Sequence, residues 1–293
     1  MRDTPPSLES APRTADVNEG EVMRAEGTAL VTGASRGIGQ GVALELARRG
    51  FDVVATMRNP DDGADLATTL GDAAGSLRVE RLDVTDAQAF DMPSPLRVVV
   101  NNAGVEKAHP PFEATPMRLW REMYETNVFG LIDVTARAIP ALRAAGGGVV
   151  CNVTSSSILA PVPFYGPYRS SKAAVSAIGE SLRAELAPFG IRVLEIMPGP
   201  IDTDMLEGSD RAPEAIDFDG YREMAERYYE GRKAVEGQVT STEDAANAIA
   251  DAILDDDAPL RVGCDPLAVG MIQGWRASSD EDFMKAMLPS WTG

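Results

Sequence analysis

Histidine and cysteine are almost missing from this 293-residue chain, and it has neither a long apolar run nor an excess of positive charge. A single histidine, His109, excludes a cluster of imidazole metal ligands. A Ser–His–Asp relay would have to rest on that one ring, in a Pro-flanked loop, so His109 reads better as a loop residue near a cleft. The two cysteines, Cys151 inside an apolar run and Cys264 near the far end, are too sparse for a disulfide framework or a thiolate metal site. No metal is expected. There is no stretch of about 18 apolar residues, and the N-terminus is polar and acidic, so neither a membrane span nor a secretion signal is read and a cytoplasmic protein is expected. With 45 acidic against 27 basic residues the net charge is −18, which would repel nucleic acid and anionic lipid.

What remains is ordinary globular composition, 44% hydrophobic and 25% charged. Residues 1–26 carry prolines, serines and charges without apolar periodicity and read as a flexible acidic tail. From 27 to 293 a single domain is expected. Six β-rich runs, at 28–32, 52–57, 77–82, 97–101, 149–154 and 192–197, show little polar alternation, the mark of strands buried on both faces of a parallel sheet. Between the first two, Ile38, Val42 and Leu46 recur at four-residue spacing and place an apolar stripe on a helix ending at Arg49-Gly50. Strand and helix in alternation predict an α/β fold, a doubly wound Rossmann-like parallel sheet whose ligands bind at the carboxyl ends of the strands. Pro93 and Pro95, in the short interval between Asp83 and Asn101, reduce the third crossover to a turn or an irregular loop. After Pro200 the pattern loosens into a cap over the cleft, about 204–240, followed by a helix over Thr242–Leu254 and a short helical C-terminus.

The stretch ThrGlyAlaSerArgGlyIleGly at 32–39 follows the first strand and opens the first helix. Gly33, Gly37 and Gly39 would let the backbone turn tightly and approach a pyrophosphate, whose charge the helix N-terminus stabilises. The spacing is G-x-x-x-G-x-G rather than the commoner G-x-G-x-x-G. Further motifs follow in order: LeuAspVal at 82–84, AsnAsnAlaGly at 101–104, Asn127 in ThrAsnValPheGly, Ser155 after the fifth strand, Tyr168-x-x-x-Lys172, and ProGlyProIleAspThr at 198–203. Together these resemble the short-chain dehydrogenase/reductase family, over about residues 27–265.

The resemblance implies hydride transfer between a dinucleotide and a small carbonyl or alcohol. Such a transfer builds negative charge on the carbonyl oxygen, so a proton donor must stand beside it. Tyr168 would be that donor, and Lys172, four residues on and on the same helical face, would supply the cation that favours its ionised form. By resemblance Lys172 also holds the nicotinamide ribose, Ser155 holds the substrate oxygen, and Asn127 carries a water-linked proton path. The alternative for Asn127 is a buried side chain satisfying backbone groups. Ser156 keeps a claim to the serine role because the register of the Ser155–Ser157 loop is open. Around the dinucleotide the family pattern places Gly33, Ser35, Arg36, Gly37, Ile38, Gly39, Asp83, Val84, Asn102, Ala103, Gly104, Pro198, Gly199, Ile201 and Thr203. Asp83 would accept from the adenine amine and Asn101 would brace the sheet.

At the end of the second strand, where an NAD enzyme usually carries a ribose-binding acid, stands Met57, and the next residue is Arg58. Arg36 and Arg58 could flank a 2′-phosphate, so NADP(H) is favoured over NAD(H). Asp61 and Asp62 are the ribose ligands of the alternative, an NAD enzyme. A non-catalytic dinucleotide sensor of the same fold, and an epimerase or dehydratase using its cofactor internally, are further readings; the intact Asn127, Ser155, Tyr168, Lys172 set argues against the first. Ile158, Leu159, Val162, Phe164, Met205, Leu206, Tyr221 and Met224 are candidates for an apolar substrate pocket, or else for core and lid packing. Resemblance also implies a homodimer or homotetramer built on helices around 117–143 and 166–187.

Overall fold

The computed structural model describes residues 23–203, 212–234 and 238–292. Its strands are β1 (Thr28–Thr32), β2 (Asp52–Met57), β3 (Ser76–Arg81), β4 (Val98–Asn101), β5 (Gly148–Val153), β6 (Ile191–Ile196) and β7 (Arg261–Val262). All neighbours pair in parallel, in the order β3-β2-β1-β4-β5-β6-β7, with the chain reversing its direction of growth between β1 and β4. All six expected runs lie within one residue of the observed strands at both ends, and the first two coincide with them. The two-residue β7 had no apolar run to announce it. It is added by backbone bonds from Glu195 N–H to the Leu260 carbonyl and from Met197 N–H to the Val262 carbonyl.

Both faces of the sheet are covered, and alternation along the strands shows it. Ala29 and Val31 of β1 join Val53, Val98 and Cys151 in one apolar cluster, while Leu30 joins Val54, Val99, Val150 and Val193 in another. The first cluster is closed by α1 (Gly37–Arg49) and the helix Thr242–Leu254, which supply Val42, Leu46, Ile249 and Ile253, all fully buried. Burying each such side chain is worth about 1.5–3 kcal/mol. Met23 belongs to the same cluster. The second is closed by α4 (Leu131–Ala144) and α5 (Gly166–Leu186), through Val134, Leu142 and Leu186. At the end of α1, Gly50 at φ +122° donates its N–H back to Ala47 and Leu46, the C-cap expected there.

Between β3 and β4 the connection is a short 3₁₀ stretch, Val84–Ala89, and a loop, as the two prolines predict. The short α2 (Leu66–Leu70) precedes β3, and between β4 and α4, α3 (Met117–Tyr124) runs into a π-helical turn at Glu125–Gly130. Most of the expected tail lies outside the described residues, as do parts of the cap; the described cap consists of a 3₁₀ turn at Glu214–Asp217 and the helix Arg222–Ala234. No described helix is long and apolar enough to cross a membrane.

A buried ionic knot holds the β6 edge of the sheet. Glu195 is 2% exposed and accepts from Thr154 Oγ1 and Ser176 Oγ at 2.9 Å each and from Arg261 Nε at 3.1 Å. Arg261 also pairs with Glu180. Removing the carboxylate would leave the guanidinium without its buried partner. Glu195→Ala is therefore expected to destabilise the fold by about 3–5 kcal/mol, read as a lower urea midpoint with an unchanged slope. A loss under about 1 kcal/mol would show that Glu180 alone compensates Arg261.

Candidate active site

The carboxyl ends of β1, β4, β5 and β6 open into one cleft of about 860 Å³. Lining it are Gly33, Ser35, Arg36, Gly37, Ile38, Arg58, Asp83, Val84, Asn102, Ala103, Gly104, Ser155, Ser156, Tyr168, Lys172, Pro198, Gly199, Ile201 and Thr203. Gly39 lies just behind the lining, and Asn127 reaches the site through the loop after β4. The structure thus brings together residues spread along the chain from Gly33 to Thr203.

Polar side chains brace the glycine loop. The Asn102 amide donates to the carbonyls of Thr32 and Gly33 at 3.0 Å each, and Thr32 Oγ1 accepts from the N–H groups of Asn102 and Ala103 at 3.1 Å. Asn101 braces the sheet, donating to Thr135 and Asn152. The loop is so close to its neighbours that a Cβ on Gly33 would meet Ala103 Cα at 2.8 Å, and one on Gly39 the Gly33 carbonyl oxygen at 2.3 Å. Asp265, which sequence reasoning passed over, holds the ProGly turn, accepting from Gly199 N–H at 2.6 Å and Ala268 N–H at 2.9 Å.

Tyr168 and Lys172 lie on the buried face of α5, with Lys172 Nζ 5.9 Å from the Tyr168 ring centre and donating to the Val153 carbonyl at 2.9 Å. Burial pushes the lysine down to about 8, against a lesser upward pull from Glu106. Burial pushes the Tyr168 phenol well above its ordinary range, Glu106 adds to that, and the Ser155 hydroxyl works in the opposite direction. Ser155 caps the turn that follows β5, accepting from Ser157 N–H and donating to Ser157 Oγ. Ser156 is 4% exposed, with its N–H on the Pro198 carbonyl. Asn127, in the π-turn, accepts from Val105 N–H at 2.8 Å and donates to the Val105 carbonyl and to Ser171 Oγ at 3.0 Å each. It ties the loop after β4 to α5, the buried role weighed against a proton path. A Cβ on Gly104 would stand 3.3 Å from both Asn127 Oδ1 and Lys172 Nζ, so only a glycine leaves this recess open.

Beyond β3, Asp83 caps the Val84–Ala89 turn through Thr85; burial pushes its carboxyl up, but the Thr85 bonds and the cations Arg58 and Arg81 together outweigh this and hold it below the usual range. Asp61 and Asp62 do not line the cleft. Both are exposed, the Asp61 N–H bonding Asn59 Oδ1 and the Asp62 carboxylate accepting from Asn59 Nδ2.

The apolar candidates divide. Val162 lines the cleft. Ile158 and Leu159 instead pack with Met197 and Ile272 beneath it, and Phe164, at φ +66°, stands edge-on to Tyr221 and Tyr228 of the cap. Met224 is half-buried away from the cleft, and Met205 and Leu206 lie outside the described residues. The part of the cleft near Tyr168 is lined instead by Val105, Ala160, Leu267, Met271, Met287 and Trp291, with a polar corner of Glu106, Tyr165, Tyr228 and Arg232. Within it Tyr165 donates to Glu106 Oε1 at 2.9 Å, and Arg232 Nη1 donates to the Tyr165 and Tyr228 hydroxyls at 2.6 and 2.9 Å. His109 stacks behind Tyr165 at 4.2 Å, its Nε2 3.0 Å from Glu106 Oε1. Only Glu106, two residues after the AsnAsnAlaGly motif, carried a positional signal in the sequence. Cys151 and Cys264 are free thiols, both pushed up to about 12 by burial and so inert.

A family model described as short chain dehydrogenase matches residues 27–214. An oxidoreductase of unassigned activity from Bacillus subtilis is 42% identical over 187 residues, which are 60% of this chain and 66% of that protein. Serine 3-dehydrogenase of Rhizobium radiobacter is 30% identical over 233 residues, 76% of this chain and 86% of the relative. Among solved structures, a short-chain dehydrogenase from Streptomyces avermitilis superposes with a TM-score of 0.71 at 30% identity, covering 91% of this chain and 96% of the other. One from Burkholderia cenocepacia, solved in complex with NADP, gives 0.68 at 27% identity over 91% and 99%.

The burial of Lys172 has a measurable sign. Its folded value of about 8 lies below the ordinary 10.5, so between them the unfolded chain binds more protons and stability at this site rises with pH. Below pH 8 the buried ammonium costs on the order of 3 kcal/mol, partly offset by its bond to Val153. The stability of Lys172→Met relative to the parent protein is thus expected to fall as pH rises from about 8 to 10.5. Thermal melts of both proteins across that interval would show it, and a difference independent of pH would mean that the folded lysine titrates as an ordinary one.

Proposed function

The chain belongs to the short-chain dehydrogenase/reductase family, and from that premise we propose that it is an NADP(H)-dependent oxidoreductase interconverting a carbonyl and a secondary alcohol, with Tyr168 as general acid and base. The observation that carries this reading is the convergence of Tyr168, Lys172, Ser155 and the Asn127-braced recess at one end of a cleft whose other end is a glycine cradle. The absence of side chains at Gly33, Gly37 and Gly104, where a Cβ would crowd its neighbours, and the N-terminus of α1, which has no side-chain cap, fit a dinucleotide lying across the sheet. When bound, the dinucleotide supplies or accepts the hydride.

The protein's own groups handle the proton. Held above its ordinary range, the Tyr168 phenol keeps its proton at neutral pH and can donate it to an oxygen that gains charge as a carbonyl is reduced. In the opposite direction the phenol must lose that proton, and the Lys172 ammonium, charged below about pH 8, is the cation that lowers the cost. The Ser155 hydroxyl, exchanging its bond to Ser157, would hold the substrate oxygen against Tyr168. Gly33, Ser35, Arg36, Gly37, Ile38 and Gly39 would take the pyrophosphate and ribose, Asp83 and Val84 the adenine, Asn102, Ala103 and Gly104 the face of the nicotinamide half, and Pro198, Gly199, Ile201 and Thr203 its carboxamide side. A homodimer or homotetramer pairing α3, α4 and α5 fits the exposed Met117, Phe129 and Ile132 on that face.

Tyr168→Phe removes a proton donor and little volume. It is expected to lower kcat at least about 100-fold while leaving the dissociation constant for NADPH nearly unchanged. More than a tenth of the parent activity would rule Tyr168 out as the acid.

The cofactor preference rests on position. Met57 and Arg58 line the cleft and Asp61 and Asp62 do not. A charge-assisted bond from Arg58 to a 2′-phosphate is worth roughly 1.5–3 kcal/mol. Arg58→Ala should then weaken NADP(H) binding about ten-fold or more and NAD(H) binding little, both by calorimetric titration. Equal losses would signal loop damage, and no loss for either would return the ribose to Asp61 or Asp62.

A further inference from the structure

The polar corner of the substrate end is unlike the wall around it. Val105, Val162, Leu267, Met271, Met287 and Trp291 present hydrocarbon, yet among them stands Glu106, whose side chain is 13% exposed. Burying a carboxylate in such a place is costly unless it is compensated. His109 Nε2 stands 3.0 Å from Oε1, and the cation Arg232 compensates indirectly. Oε1 accepts from the Tyr165 hydroxyl, and that hydroxyl accepts from Arg232, so anion and cation share one phenol instead of touching. The second oxygen, Oε2, receives no hydrogen bond from any described residue, and it belongs to a residue lining the cleft. Arg232 already holds the Tyr165 and Tyr228 hydroxyls, which leaves Glu106 Oε2 as the acceptor that the corner presents.

The position relative to the chemistry is set by α5. Tyr165 and Tyr168 are one helical turn apart, their rings meeting edge to face at 5.9 Å. A substrate oxygen held at the Tyr168 hydroxyl therefore has its neighbouring carbons beside the Tyr165–Glu106 pair. We propose that Glu106 is a specificity-determining residue, accepting a hydrogen-bond donor, a hydroxyl or an ammonium, borne by the substrate a few bonds from the carbon that exchanges hydride. This rests on the oxidoreductase reading above and replaces a wholly apolar substrate with one that is polar on one side. An apolar group in the same place would leave a carboxylate oxygen desolvated without a partner, so plain hydrocarbon is rejected as well as the donor being attracted.

A matched series tests it: a secondary butanol, the vicinal butanediol and the corresponding amino alcohol, assayed with NADP for turnover and, on the enzyme loaded with NADP, for binding by calorimetry. In the parent protein the diol or the amino alcohol should exceed the plain alcohol at least ten-fold in kcat/KM and in affinity. Glu106→Leu should collapse that ratio. Glu106→Gln, which keeps an acceptor for Tyr165 and so preserves the corner, separates the two donors: a hydroxyl-selective site keeps most of its preference, and an ammonium-selective one loses it. Because the readout is a ratio between substrates, a general loss of activity does not mimic the effect. A preference independent of residue 106, or none at all, overturns the proposal. Glu106-dependent binding without turnover by any member would leave the proposal standing and instead sink the oxidoreductase reading.

Discussion

A lysine ammonium that has no business in the interior organises this molecule. Lys172 is 6% exposed, held by one carbonyl at the end of β5, and driven down to about 8 by its surroundings. The fold tolerates it because everything around it is fixed by other bonds. The carbonyl of Val153 lies at the end of a central strand paired on both sides, and α5 is packed along β6, with Leu186 in one cluster with Ile191 and Val193. Gly104 gives the ammonium room, and Asn127 ties the backbone beside it. A charge kept at a cost to stability is the kind of local inconsistency that marks functional sites rather than cores.

The remaining polar groups near the cleft fall into two kinds. Thr32, Asn101, Asn102, Asn127, Asp265 and Glu195 bond backbone or neighbouring side chains, and they hold strand ends and loops in place. Ser155, Tyr168 and Glu106 line the cleft instead. That division is what preorganisation requires: groups that meet a ligand must be positioned by groups that do not. The π-turn at Glu125–Gly130 belongs with the first kind, since it rotates Asn127 into the one orientation that reaches Val105 and Ser171 together.

The two ends of the cleft are built differently. The glycine cradle and its braces come from strands and from loops that follow directly on them, whereas the corner of Glu106, Tyr165, Tyr228 and Arg232 joins the core to the cap helix Arg222–Ala234. One end is thus set by the sheet, and the other depends on how a separate helix docks.

Much was legible in the chain itself. Apolar runs without alternation require strands buried on both faces, and the glycine spacing, AsnAsnAlaGly, Ser155 and Tyr168-x-x-x-Lys172 fall at strand ends or on one helical face because period and spacing are local properties. The third crossover was readable from Pro93 and Pro95 for the same reason. What tertiary structure alone decided is long-range. Arg232 lies far along the chain from Glu106, and no local pattern connects them. Apolar residues near the cleft in sequence, such as Ile158 and Leu159, face the core instead, because the direction of a side chain in a short turn depends on packing that periodicity does not encode. Strand β7, two residues long, exists only because β6 offers it a partner and Glu195 holds Arg261 there.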